Sequence, residues 1–259
     1  MSKDNVAFVF VSGSFSRPWV YQQVQSLLTS NLHNLSPENL YDVILQSTDS
    51  SRAEGPATMY DDAAAIASKI TSLADDDGKD VVLVLSSYGG LPGTEAAYGL
   101  SKAARAKRGL KGGIIALVYI AAFLPTVGDS TKGLAGEFPG EDEYMQLEYS
   151  PEFAASIFSD LSDPIEQKRS FDQMTPHSRA SFHSPLKHEG WRDVKIYYLH
   201  TMSDLIIPPE LQSKLIEKAK AEGADVEVIE TDAGHMPMLG REQVVVDVLL
   251  KAAATKVAP

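Results

Sequence analysis

A serine, an aspartate and a histidine, Ser87, Asp204 and His235, each stand just beyond a short apolar run, in that chain order. Ser87 follows Val81-Val82-Leu83-Val84-Leu85-Ser86 and precedes Tyr88-Gly89-Gly90. A buried strand that runs straight into a serine, then into small residues and a helix, is the layout of a nucleophile elbow, whose strained turn lifts the hydroxyl clear of the sheet. Leu85 stands where the Gly-x-Ser-x-Gly pattern has its first glycine, and Ser86 where histidine is often found. Alone, the fragment reads equally as a serine-rich turn ending a strand. Asp204 lies in His200-Thr201-Met202-Ser203-Asp204-Leu205-Ile206-Ile207-Pro208, after the run Val194 to Leu199. His235 lies in Glu230-Thr231-Asp232-Ala233-Gly234-His235-Met236-Pro237, after Val226 to Ile229. Separately these are a turn or capping aspartate and a surface-loop histidine. Jointly, in the order serine, acid, histidine, they suit nucleophilic catalysis: a neutral imidazole takes the hydroxyl proton while the carboxylate fixes its tautomer and stabilises the imidazolium.

Other candidates are weaker. His177, His183 and His188 are spaced by six and five residues, unlike the i, i+4 pair of a helical zinc site. They are expected to line a pocket or lie on the surface, with His177 or His183 able to meet a substrate, and no metal is expected. Gly13 follows the first apolar run, but there is no Gly-x-Gly-x-x-Gly and no Gly-Lys-Ser/Thr, and Gly109, Gly112 and Gly113 precede a strand. A nucleotide cofactor is therefore excluded. The absence of cysteine excludes disulfides, thiolate catalysis and cysteine metal sites. No cofactor of any kind is called for.

The elements that must position these residues can be read from periodicity. Val6 to Val11, Val81 to Leu85, Ile114 to Ala121, Val194 to Leu199 and Val226 to Ile229 have the length and β-branched content of strands, with Tyr41 to Leu45 a weaker sixth. Helical spacing covers Trp19 to Leu28, Tyr60 to Leu73, Thr94 to Arg108, Glu210 to Lys220 and Glu242 to Ala254. Pro208 and Pro209 sit where a helix would start. This alternation predicts an α/β fold with a doubly wound, mostly parallel sheet, whose carboxyl edge gathers the three loops. From Pro125 to Arg192 the rhythm breaks into Pro, Ser and acidic residues with scattered aromatics, as expected of a helical insertion over one edge. Asp75 to Asp77 and Glu141 to Glu143 read as solvated acidic turns.

The 259 residues, 44% of them apolar, suffice for one full-sized core. A formal charge of −12 repels phosphate backbones and anionic headgroups, which argues against nucleic acid and membrane partners. The basic cluster Lys102, Arg105, Lys107, Arg108 and Lys111 is expected at a solvated helix C-terminus. Met1 to Asn5 is polar and lacks a signal-peptide pattern, and no apolar run approaches the ~20 residues of a membrane span. The expectation is a cytoplasmic protein whose partner is a small-molecule substrate, with a homodimer left open.

Val9-Phe10-Val11-Ser12-Gly13-Ser14 with Trp19, Ser87-Tyr88-Gly89-Gly90, Val118-Tyr119-Ile120-Ala121-Ala122-Phe123-Leu124-Pro125, Thr201-Met202-Ser203-Asp204 with Ile207-Pro208, and Gly234-His235-Met236-Pro237 occur in this order along nearly the whole chain. In this the chain resembles the α/β-hydrolase superfamily, in particular its small-esterase and hydroxynitrile-lyase-like branch. The resemblance implies one α/β-hydrolase domain over 1–259, with a cap at about 126–190. It also implies an oxyanion hole from the backbone N–H groups of Tyr88 and Ser14, although the family usually carries His-Gly at the positions of Ser12-Gly13. It places Phe15, Phe123, Phe158, Met174, His177, Phe182 and Met236 against the substrate, with Phe153, Phe171 and Trp191 as further apolar candidates. Cap packing is the alternative for the aromatics of the insertion. The activity implied is hydrolysis of an ester or lactone of a small to medium apolar metabolite through an acyl-enzyme. Lyase chemistry on the same three residues and a ligand-sensing receptor are the alternatives.

Overall fold

The computed structural model describes residues 5–31 and 36–257. Residues 1–4, which carry most of the polar N-terminal stretch, lie outside them. Six strands, β1 (Val6–Val11), β2 (Leu40–Val43), β3 (Asp80–Ser86), β4 (Gly113–Ile120), β7 (Lys195–Thr201) and β8 (Val226–Thr231), form one sheet in the order β2-β1-β3-β4-β7-β8. Every pairing is parallel. The two short strands β5 (Tyr144–Met145) and β6 (His177–Ser178) pair antiparallel in the segment between β4 and β7.

The central apolar runs make strands because each has two faces to bury. In β1, Ala7, Val9 and Val11 join one core cluster while Val6, Phe8 and Phe10 join the other. In β3, Val81, Leu83 and Leu85 divide in the same way from Val82 and Val84. The first cluster is closed by α2 (Met59–Asp76), α3 (Gly90–Ala97) and α9 (Pro209–Ala221), through residues such as Ile66, Leu91 and Leu215. The second is closed by α1 (Gln22–Asn31) and α10 (Glu242–Ala253), through Val24, Leu28, Val245 and Leu249. Helices on both faces bury the central strands completely, which suits continuous apolar runs.

The helix expected from Thr94 to Arg108 is in fact two. α3 ends at Ala97, Gly99 turns with φ 71°, and Ser101 caps α4 (Lys102–Ala106) by accepting a hydrogen bond from Ala104 N. The basic cluster is also not simply solvated. Arg105 is buried, pairs with Asp75 and donates to the carbonyls of Lys111 and Gly112, while Lys102 pairs with Asp80 at 2.7 Å. Asp75 and Asp76 correspondingly belong to the last turn of α2 rather than to a free acidic loop.

Between β4 and β7 the chain forms α5 (Thr131–Ala135), α6 (Pro151–Ile157), α7 (Pro164–Phe171) and α8 (Arg179–His183) around the β5–β6 pair. Prolines and capping side chains punctuate it. Ser130, Ser150 and Asp163 each accept a backbone N–H in the first turn of the following helix. No helix among the described residues is long and apolar enough to cross a membrane.

Candidate active site

Because all six main strands run parallel, the loops after β1, β3, β7 and β8 open on one edge of the sheet. The loop after β3 is the tightest. Ser87 has φ 51°, a left-handed conformation that a β-strand must leave sharply to reach, and the chain re-enters a helix at Gly90. That turn demands close approach: a Cβ on Gly90 would collide with the Phe123 carbonyl. One on Gly13, from the loop after β1, would sit 2.8 Å from Ser87 Cβ. The leucine at the motif's first glycine position is accommodated from the helix side, since a Cβ on Gly93 of α3 would collide with the Leu85 side chain. Three described non-glycine residues have positive φ, namely Phe15, Ser87 and Ala121. They follow β1, β3 and β4, so the backbone strain gathers at the edge where the three loops meet.

His235 joins the other two residues. Its Nε2 lies 3.2 Å from Ser87 Oγ, and its Nδ1 lies 2.9 and 3.1 Å from the two Asp204 oxygens. The carboxylate leaves Nδ1 as the protonated nitrogen, so the Nε2 lone pair faces the serine hydroxyl. Asp204 is buried and fully partnered. Its Oδ1 accepts from the N–H groups of Ile206 and Ile207 at 2.8 and 2.9 Å, and its Oδ2 from Thr201 Oγ1 and Gln212 Nε2 at 3.2 Å each. Gln212, on the first turn of α9, also donates to the Ile207 carbonyl at 2.6 Å, so the amide staples the aspartate loop to the helix. The histidine loop is held from the segment between β4 and β7. Gly234 N donates to Asp160 Oδ1 at 2.9 Å, and a Cβ on Gly234 would collide with Ser159. Burial pushes the Asp160 carboxyl up from its usual range.

A cavity of about 190 Å³ opens over Ser87 and His235. Phe15, Phe123, Met174, Phe182 and Met236 line it, as does Ser14. Phe153, Phe138, Leu147, Ile157, Ile206 and Ile207 complete the apolar wall, and Thr131 and Ser16 are its further polar side chains. No acidic, lysine or arginine side chain is among the lining residues.

Two expected contacts are corrected. Phe158 is buried against Ile157, Phe171 and other members of the second core cluster and does not reach the cavity. It follows directly on α6, whose Ile157 takes the cavity position instead. His177 is also buried behind the wall, where Phe15 N donates to its Nδ1 at 3.5 Å and Ser181 Oγ lies 3.0 Å from its Nε2. With no charged partner there, burial lowers its pKa to about 3 and keeps the ring neutral. Trp191 and Phe171 are core residues: the indole donates to the Pro125 carbonyl at 2.9 Å, and Phe171 packs edge-on to Tyr149 and Phe153. His183 pairs with Glu137 at 3.0 Å and His188 with Glu95 at 2.6 Å, both at the surface.

Around the site lie side-chain contacts that the sequence did not announce. Tyr88, next to the serine, donates its hydroxyl to Asp62 Oδ2 at 2.7 Å, and Ser47 N donates to Asp62 Oδ1 at 2.9 Å. Burial pushes the Asp62 carboxyl up to about 6 in spite of these donors. Ser12, at the position where the family the chain resembles usually carries histidine, donates its hydroxyl to the Ser16 carbonyl at 3.1 Å and so braces the loop after β1. The signal for Ile206 and Ile207 was present, since apolar residues beside Asp204 in a tight loop share its edge. For Asp62, Asp160 and Gln212 there was none.

Residues 8–248 match the Alpha/beta hydrolase family. Among curated proteins, the chain is 32% identical over 204 residues to Probable hydrolase R7 of Phoma sp., covering 76% of this chain and 79% of that one. It is 25% identical over 270 residues to Methylesterase 9 of Arabidopsis thaliana, covering 95% and 97%. Among solved structures, it superposes with TM-score 0.71 and 18% identity on an extracellular alpha/beta-hydrolase from a Paenibacillus species, itself described as sharing structural and functional homology with tobacco Salicylic Acid Binding Protein 2. That match covers 95% of this chain and 98% of the other.

Proposed function

Since this chain belongs to the alpha/beta hydrolase family, we propose that it is a serine esterase or lactonase in which Ser87 is the nucleophile, His235 the general base and acid, and Asp204 the orienting carboxylate. One observation carries the reading: His235 bridges a fully partnered Asp204 and the Ser87 hydroxyl at the floor of an apolar cavity. The methylesterase among its relatives points to the same class of bond.

In this mechanism His235 Nε2 takes the hydroxyl proton as Ser87 Oγ bonds to the ester carbonyl carbon. The oxygen of the tetrahedral intermediate is received by the amides of Tyr88, next after the serine, and Ser14, on the cavity wall. Such donors contribute about 3 kcal/mol each when aimed at the developing charge. Collapse breaks the bond to the alkoxy oxygen, which leaves with the proton from His235. A water deprotonated by His235 then attacks the acyl-enzyme and releases the acid.

The substrate follows from the lining. A wall without formal charge favours a neutral acyl group, because a charged one would be desolvated without a partner. Apolar cavities of ~150 Å³ admit a benzene ring, so about 190 Å³ suits an aryl or short branched group. The segment between β4 and β7, which supplies Phe153, Ile157, Met174 and Phe182 to the wall, acts as the cap.

The decisive experiment is Ser87→Ala assayed on a panel of p-nitrophenyl esters and lactones. Turnover should fall by ~10⁴-fold or more with the melting temperature unchanged, and a fluorophosphonate should label the parent protein at Ser87 but not the variant. Retained turnover in Ser87→Ala would eliminate the serine as nucleophile.

A further inference from the structure

The loop that carries Ser14 is fastened from outside the sheet, and the fastening converges on one ring. Phe15, the residue after Ser14, has φ 60°, a strained conformation for a non-glycine residue that persists only where neighbours impose it. Its carbonyl accepts from Thr175 N at 2.8 Å, its N–H faces His177 Nδ1 at 3.5 Å, and its ring packs on the His177 ring at 5.4 Å. The same imidazole also meets the Tyr88 ring edge-on at 4.8 Å. His177 therefore contacts both residues that carry or adjoin the proposed oxyanion donors.

We infer that His177 is a positioning residue for the oxyanion hole: as a neutral imidazole it holds the left-handed Phe15 and the Tyr88 ring in place, and thereby aims the Ser14 amide at the reacting carbonyl. The inference rests on the reading of Ser87 as nucleophile. The hydrogen bonds specify one tautomer. Nδ1 must be the acceptor for Phe15 N–H, so Nε2 carries the proton and donates to Ser181 Oγ, whose own proton goes to the Ser178 carbonyl at 2.8 Å. The 3.5 Å contact is long for a hydrogen bond, so the shorter Thr175 bond fixes the Phe15 carbonyl. His177 then fixes the tilt of the Ser14–Phe15 peptide. With that peptide held, the preceding Gly13–Ser14 peptide lies between the anchor and the close approach of Gly13 to Ser87. Both Thr175 and His177 belong to the segment over the cavity, so a properly seated segment and a formed oxyanion hole are one condition.

Three substitutions separate this role from simple packing. His177→Asn keeps an acceptor near the Nδ1 position, His177→Gln moves the polar group toward the Nε2 position, and His177→Phe keeps volume without an acceptor. On p-nitrophenyl butyrate, kcat should fall about tenfold or more in the Gln and Phe variants with KM within about twofold, and the Asn variant should stay within about threefold of the parent. An aryl trifluoromethyl ketone, which forms a hemiketal oxyanion on Ser87, should lose affinity in the Gln and Phe variants by the factor seen in kcat/KM. The parent methyl ketone, which forms none, should bind all variants alike. Because the Asn and Gln variants are both polar, melting curves identify a folded pair if the Phe variant does not fold. Parent-like kcat and trifluoromethyl ketone affinity in His177→Gln, or a fall in His177→Asn as deep as in His177→Gln, would overturn the inference. Ser87→Ala, run alongside, separates the two levels: activity lost there but unchanged in His177→Gln defeats this inference alone, whereas activity kept in Ser87→Ala defeats the esterase reading itself.

Discussion

Buried titratable residues next to the site give the protein an acid response whose sign can be worked out. His177, lowered to about 3 by burial, is neutral in the folded chain where an unfolded histidine would take up a proton near 6.5. Its stabilising contribution is therefore complete above pH 6.5 and is lost as the pH falls toward 3, by about 5 kcal/mol at the end of that window. Asp62 works in the opposite sense. Pushed up to about 6 by burial, it holds a proton in the folded state between pH 6 and its unfolded value of about 3.9, so acidification through that window adds about 3 kcal/mol. The aspartate gain offsets most of the histidine loss down to about pH 4, below which the gain is exhausted and the loss continues. Removing the imidazole exposes the Asp62 effect alone: relative to its own stability at pH 7.5, His177→Asn should keep about 3 kcal/mol more than the parent at pH 4.5, read from urea midpoints. Identical acid limbs would mean that the ring is not held neutral by burial. Neither residue could be placed from the sequence. Ser87, Asp204 and His235 could be singled out because each stands shortly past a strand of the sheet, where chain order selects them. Asp62 and Tyr88 meet across 26 residues, and Asp160 and Gly234 across 74, with no local pattern to announce either pair. His177 and Phe158 were expected at the cavity because aromatic and imidazole side chains in an irregular segment carry no periodicity that tells inward from outward.

At the scale of elements, strands were more legible than helix ends. A strand buried on both faces is an unbroken apolar run, and β1, β3 and β4 all coincide within a residue or two with such runs. The single helix read from Thr94 to Arg108 fails because apolar spacing continues across Gly99 and Ser101, although both residues are stop and start signals. The same helix holds the explanation for the imperfect elbow. Leu85 takes the place of a glycine, and its side chain occupies the space left by the missing Cβ of Gly93 on α3. Leu85 thus depends on a glycine at position 93. A double-mutant cycle tests that exchange. Gly93→Ala alone should destabilise by about 1–3 kcal/mol through overpacking, and Leu85→Ala alone by about 2–4 kcal/mol through the cavity it leaves. The double variant should lose at least 1 kcal/mol less than the two together, because the new methyl enters the new cavity. Additive losses would separate the two positions and leave Leu85 without a compensating partner.

At the scale of the whole molecule, a chain with a formal charge of −12 encloses, over Ser87 and His235, a cavity whose wall has no acidic, lysine or arginine side chain. The two facts select substrates in the same direction by different means. Inside, an anionic group would be stripped of water with no counter-charge to meet it. Outside, the summed field repels anions at distances of the order of the Debye length, about 10 Å at 0.1 M salt, and leaves neutral esters unaffected. The inner effect is insensitive to salt, and the outer one is screened by it. Raising sodium chloride from about 20 mM to about 0.5 M should therefore leave kcat/KM for p-nitrophenyl butyrate unchanged. For a p-nitrophenyl ester bearing a free carboxylate, kcat/KM should start lower and rise by about two- to tenfold without reaching the neutral value. The residual gap measures the desolvation inside the cavity, and the salt-dependent part measures the field outside. A carboxylate ester whose rate does not respond to salt would show that the net charge is turned away from the mouth. One that reaches the neutral value at high salt would require a partner for the anion within the wall, where the lining offers none.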